Sequence, residues 1–209
     1  MAKMSKKFNI LFFLTICLLS INVSGQDKIL FINGKVLEGK LIEKTNYEFT
    51  FKSKSDKQFI IDKYRVFSYT QNNKETIVYE YDTLALNFLK VPEMKKFVYG
   101  ERDAQQTFKP RFTNALGYAI GGAAGYLMHR DQSFVYFPAP ILYTALTLPF
   151  GTRVRQEKIK DKRYIKENEY LRGYDRIATS KRTQSALKSS LAGMGIGFLI
   201  GIITNSSKE

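Results

Sequence analysis

Two hydrophobic rhythms divide this chain. From Lys28 to about Tyr81, apolar and polar residues alternate with period two, and β-branched and aromatic side chains fill the apolar positions. Lys28–Ile32 reads as a first strand, and Asn33-Gly34 is a strong short hairpin signal. Val36 to Lys44 continues as a second strand, with Gly39 marking a bend or bulge. Tyr47–Phe51 and Phe59–Ile61 alternate on either side of the polar turn Ser53–Lys57. Val66–Tyr69 and Thr76–Tyr81 flank a second polar turn, Gln71–Lys74. So many short strands in so little chain predict a small closed barrel, because closure removes exposed strand edges.

Beyond this region the rhythm changes. Pro92 opens a short helix through Phe97, Gly100 ends it, and Asp103 caps a second one through Phe108 before Pro110. Asn114–Met128 is then apolar and carries Gly117, Gly121 and Gly125; Ser189–Thr204 repeats the pattern with Gly193, Gly197 and Gly201. Spacing by four puts each trio on one helix face as a flat strip along which another backbone approaches closely. In water, six interior glycines cost a helix about 6 kcal/mol relative to alanine. Lipid tolerates them, because small residues drive packing there and the backbone bonds within its own helix. Each apolar stretch falls a few residues short of a full span, and Lys188 is placed to snorkel to an interface.

Between the two glycine segments, Phe134–Phe150 is apolar but interrupted by Pro138, Pro140 and Pro149. It fits a kinked span, a re-entrant piece or the return of a hairpin across His129–Gln132. The connector 152–188 has helical spacing (Ile159, Tyr164, Tyr170, Tyr174, Ile177) among basic residues. Its Arg153, Arg155, Lys158, Lys162 and Arg163 are the candidate contacts to lipid headgroups. If both 113–128 and 134–150 cross, the connector returns to the exported side, against the positive-inside tendency; if 113–150 crosses once, the connector is cytoplasmic and the rule is met; a hairpin in one leaflet or an outer membrane escapes the rule.

Met1–Gly25 has the three parts of a secretory leader: Lys3, Lys6 and Lys7, an apolar core Ile10–Leu19, and a small, polar stretch before Gln26. The whole chain has a formal net charge of +14. Without the leader, 30 basic side chains face 19 acidic ones, and the only cysteine, Cys17, is gone. Residues 113–209 carry the larger excess on the more apolar background. Outside the cytoplasm such a charge points to anionic membrane surfaces rather than to nucleic acid.

The inventory also excludes chemistry. One His and one Cys exclude a disulfide framework and a multi-His metal site. Gly117–Gly125 lacks the Lys-Ser/Thr pair of a phosphate loop, and there is no Gly-x-Ser-x-Gly elbow. No catalytic, cofactor or metal residue is therefore assigned, and no small-molecule substrate follows from the sequence.

Two resemblances add to this reading. Asn33-Gly34 followed by Gly39–Ile42 resembles the opening hairpin of SH3-like and Sm-like barrels. Gly100–Ala104, a small-residue apolar hairpin, and Tyr170-Leu-Arg-Gly-Tyr174 with Ala178 and Lys181 resemble a family of exported envelope proteins common in Bacteroidota. That second likeness implies an envelope location and no particular activity.

The expected architecture is α+β: a leader (1–25), a small SH3-like or Sm-like β-barrel (26–91), a junction of short helices (92–112), and a helical, Gly-rich, membrane-embedded region (113–209). The expected role is a non-enzymatic envelope anchor that presents the β module, with lipids and either a second copy or another envelope protein as partners. The alternative is a soluble periplasmic binding protein whose Gly-rich helices pack on the β module.

Overall fold

A computed structural model describes residues 26–84, 87–152, 154, 159 and 162–206. The leader and the predicted headgroup contacts Arg153, Arg155 and Lys158 lie outside the described residues. The fold is mixed α+β, a six-stranded sheet followed by four helices. Its described residues divide into two compact units: one holds 26–29 with Leu37–Val78, and the other holds Leu30–Val36 with those from Tyr79 onward.

The strands are β1 (Asp27–Phe31), β2 (Val36–Lys44), β3 (Glu48–Ser53), β4 (Gln58–Asp62), β5 (Val66–Gln71) and β6 (Lys74–Ile77). They are ordered β4-β3-β2-β1-β5-β6 in one antiparallel sheet. The predicted turns are where the polar runs put them. Gly34 adopts φ +71°, which glycine takes without strain. Asn72 and Asn73 both have positive φ, as a two-residue hairpin turn with the sheet's own twist requires. Gly39 is not the bulge. The β2–β3 register slips between Leu41 and Glu43, whereas a Cβ at Gly39 would strike the Phe51 ring at 2.8 Å.

The sheet is not a barrel. A three-residue 3-10 turn, Lys63–Arg65, joins β4 to β5, although three strands lie between them in the sheet. Flat strands would put β4 and β5 about 19 Å apart, and the connection reaches only about 14 Å, so the sheet must curl. It does not close, because β1 and β6 occupy both hydrogen-bonding edges of β5. The hairpin at Gln71–Lys74 thus adds a strand on the edge that a barrel would use. Ile29, Phe49, Phe51, Val66 and Phe67 form the buried core of this unit, and the buried Ser68 hydroxyl donates to Glu75 Oε1 at 2.7 Å.

The helices are α1 (Val91–Thr107), α2 (Arg111–Arg130), α3 (Ala139–Leu146) and α4 (Asn168–Ser206). The two short helices expected at the junction are one helix. Pro92 starts α1, and Glu93 accepts from the Lys90 amide at 3.0 Å. Gly100 does not end α1 because its missing side chain is where the Tyr170 backbone fits. Likewise the helical part of the connector and the second glycine segment form a single helix of 39 residues, about 58 Å long.

Along α4, α1 and α2 lie end to end and run parallel to it. Phe97 is opposite Gly173, Ala104 to Phe108 are opposite Lys181, Gly117 is opposite Ser189, and Gly125 is opposite Met194. Phe134–Phe150 is the returning limb: the Tyr143 hydroxyl donates to the Thr113 carbonyl at 2.6 Å, near the start of α2. Thr152 N–H then reaches Asp175 on α4, and Glu167 pairs with Lys96 on α1 at 2.9 Å. Thr152 and Glu167 thus both lie at the α1 end of the bundle.

Candidate functional site

The six glycines singled out by spacing all lie at the α2–α4 contact, and no Cβ fits at any of them without displacing an atom of the opposite helix. Four of them form a reciprocal ladder against carbonyls: Gly121 faces Ser190, Gly125 faces Met194, Gly193 faces Tyr118 and Gly197 faces Gly122. This is the geometry in which Cα–H···O contacts recur between helices. Gly117 abuts Ser189 and Gly201 abuts the ring of His129, which meets Phe198 edge-on at 5.4 Å. The buried Ser190 hydroxyl is satisfied by the Ala186 carbonyl at 2.7 Å, so the seam carries no unbonded Ser190 hydroxyl.

Two further glycines extend the seam where spacing gave no signal. Gly100 meets the Tyr170 backbone, and Gly173 meets that of Phe97. They lie in α1 and in the N-terminal half of α4, outside the four-residue repeats. Their setting is polar, unlike that of the trios.

The outer surfaces differ sharply along the bundle. Around α2, α3 and the C-terminal half of α4, large apolar side chains face outward: Phe112, Leu116, Ile141, Leu142, Leu146, Leu191, Leu199 and Ile203 among them. Their helices carry no charged residue between Phe112 and Met128, or between Ser189 and Ser206. At twenty residues α2 is about 30 Å long, the thickness of a bilayer core. Among the described residues, one helix, Asn168–Thr204, is long and apolar enough to cross a membrane. On the outer side of the seam a groove of about 440 Å³ has Gly122, Gly193 and Gly197 on its floor and Tyr118, Tyr126 and Ile200 among its walls.

The α1 half of the seam holds an ionic cluster instead. Glu101 is fully buried and paired with Arg176 at 2.5 Å, without hydrogen-bond geometry at either carboxylate oxygen. Burial pushes its carboxyl up to about 7, against the pull of Arg176. Asp103 accepts from Arg102 at 3.0 Å and from the Tyr170 hydroxyl at 2.9 Å, while Arg102 also stacks over Tyr99. Burial, then the charge of Asp103, raises the Tyr170 phenol well above its usual range. Lys181 Nζ donates to the carbonyls of Ala104, Gln105 and Phe108, satisfying the last turn of α1. Each carboxylate is thus held by a cation or a phenol, an arrangement that pins α1 to α4. No group of three or more His, Cys, Asp or Glu able to hold a metal ion occurs among the described residues.

Of the predicted headgroup contacts within the described residues, Lys162 and Arg163 are exposed in a 3-10 turn just before α4. That turn precedes the end of α4 opposite the apolar surface, and the start of α4 lies about 28 Å from Leu187 along the helix. The cations at the edge of the apolar surface are others: Lys109, Arg111, Lys181, Arg182 and Lys188.

The seam predicts opposite effects at neighbouring glycines. Gly121→Leu or Gly197→Leu forces backbones apart and should destabilise the purified protein in detergent by about 3 kcal/mol or more. Nothing lies within 4 Å of a Cβ at Gly195, so Gly195→Ala should be neutral or stabilising by up to about 1 kcal/mol. Thermal unfolding of the variants checks the contrast; equal effects at the three sites would refute it.

Glu101 predicts a pH signature. Its proton is held more tightly in the folded chain (about 7) than at the ordinary value of 4.5. Its contribution to stability is therefore complete below about pH 4.5 and lost as pH rises through about 7. The stability difference between the wild type and Glu101→Gln should move against the wild type across that window. A difference that does not change with pH would contradict the burial argument.

Comparison with protein-family models, with curated proteins and with solved structures returns no match, so the chain's own residues and geometry are the basis for assigning a role.

Proposed function

We propose that this chain is a non-enzymatic envelope protein, anchored in a membrane by its glycine-seamed helices and presenting its β sheet as an interaction module in an accessory or structural role. The observation that carries this reading is the uncharged, outward-facing apolar surface on α2, α3 and the C-terminal half of α4. Soluble monomers rarely expose apolar patches of more than a few hundred Å², whereas a bilayer covers such a surface at no cost. The glycine ladder supports the same reading, since water adds nothing to close helix packing that lipid does not allow.

The direction of the chain supports a particular route. α2 leads away from the ionic cluster, Phe134–Phe150 leads back, and the C-terminal half of α4 leads away again. The described part of the connector and the ionic cluster therefore share one side of the apolar layer, and the polar loop His129–Ser133 and the helix end share the other. An exported chain that inserts from the exported side keeps its basic connector there without conflict, because that route is not governed by the charge rule for translocon insertion. Membrane lipids are then its first partners, and the resemblance to exported envelope proteins fits the same placement.

Fractionation of producing cells followed by alkaline carbonate extraction tests the anchor. The protein is expected in the membrane pellet. Release into the supernatant would overturn the anchor and favour the soluble binding-protein reading.

A further inference from the structure

We infer that the break between α1 and α2, together with Arg182 of α4, forms a site for a phosphate-class anion, with the headgroup of an anionic phospholipid as the source its position favours. The phosphate chemistry stands on the side chains described below; the lipid source rests on the membrane reading.

Arg182 is the central observation. It is 8% exposed, and neither Nε nor Nη2 has a hydrogen-bond partner among the described residues. Ala178 and Ala186, one turn to either side, are fully buried, so Arg182 sits on the strip of α4 that faces the other helices. A buried unpaired cation costs several kcal/mol, and arginine has no escape by losing its proton. A buried lysine would simply neutralise. The guanidinium instead presents a planar fork of donors that matches a phosphate.

The described surroundings are cationic. Helix register puts Arg182 level with the Phe108–Pro110 break, because its neighbour Lys181 reaches the Phe108 carbonyl at 3.4 Å. Lys181 is itself depressed, by burial first and then by the charge of nearby Lys109. Arg111 and Lys188 add charge one turn toward the apolar surface. Among the described residues, no Asp or Glu occurs in 104–130, 132–152 or 176–206. The next carboxylates below are already engaged: Asp103 with Arg102 and Tyr170, Glu101 with Arg176, and Asp175 with the Thr152 amide.

The N-terminus of α2 completes the site. Pro110 provides no side-chain cap, and the first turn contains no acidic residue, so the positive end of the helix is uncompensated. Phe112, 75% exposed, opens the apolar surface directly above. An anion at this break would sit at the edge of the hydrocarbon layer, where headgroup phosphates lie.

The test uses the purified full chain in neutral detergent. Thermal unfolding is followed with phosphatidylglycerol or phosphatidylcholine at equal mole fraction, and with inorganic phosphate or chloride at matched ionic strength. Phosphatidylglycerol should raise the melting temperature by several degrees over phosphatidylcholine, and Arg182→Gln should abolish that rise. Lys109→Gln, at an exposed position, should not lower the lipid-free melting temperature, since it only relieves repulsion with Lys181, and should raise the half-saturating lipid concentration several-fold.

A rise with phosphatidylglycerol alone assigns the lipid headgroup, and an equal rise with inorganic phosphate assigns the free anion. No rise with either, or a wild-type response in Arg182→Gln, overturns the site. If Arg182→Gln does not fold, unchanged half-saturation in Lys109→Gln overturns it. A chain retained by carbonate-washed membranes but indifferent to both anions loses the site and keeps the anchor. A chain released by carbonate yet stabilised by phosphate loses the anchor and keeps the site.

Discussion

Backbone-to-backbone contact along α4 is the constraint on which the helical unit depends. Eight glycines, Gly100, Gly117, Gly121, Gly125, Gly173, Gly193, Gly197 and Gly201, lie where α1 or α2 approaches α4 too closely for a Cβ. Helices packed through Leu or Ile stand about 8–10 Å apart; here carbonyls sit against α-carbons. Each such glycine weakens its own helix in isolation, so the helices are held by their contact rather than by propensity. The parallel course of α1 and α2 along α4 follows from that contact. So does the placement of the returning limb, which must run back over the remaining face.

One seam serves two environments. In the α1 half it closes over Glu101, Asp103, Tyr170 and Arg176, groups that need each other once water is excluded. In the α2 half no charged residue lies between Phe112 and Met128 or between Ser189 and Ser206. The change falls at the Phe108–Pro110 break, where Lys181 caps α1 and α2 begins without a cap. A helix break with uncompensated positive charge suits a boundary between water and lipid better than the middle of either. On the proposed membrane placement, the polar loop His129–Ser133, with the Arg130–Asp131 pair at 2.7 Å, lies at the other boundary.

What the sequence made legible was local. Asn33-Gly34, Asn72-Asn73 and the alternating runs fix hairpins through the conformations of a few residues, and the structure has those hairpins. The spacing of the glycine trios is equally local, and it marked one face of each helix. Closure of the sheet was not legible, because it turns on β6 taking the free edge of β5 rather than on any strand's own pattern. Gly100 looked like a helix end because a glycine that breaks and a glycine that admits a neighbour are identical in sequence. Arg182 was invisible for a related reason. It sits among Lys and Arg residues of an apparently solvated connector, and only tertiary packing shows that its guanidinium is buried.

Lipid contact along the apolar surface over the seam is what the proposed anchor requires. The chain has no tryptophan, so Leu199→Trp places a single reporter on an exposed position of α4 midway along that surface. Reconstituted into vesicles, its fluorescence should be blue-shifted, quenched by phospholipids brominated near mid-chain, and shielded from aqueous acrylamide. Emission typical of water, quenched by acrylamide and indifferent to the brominated lipids, would contradict the claim.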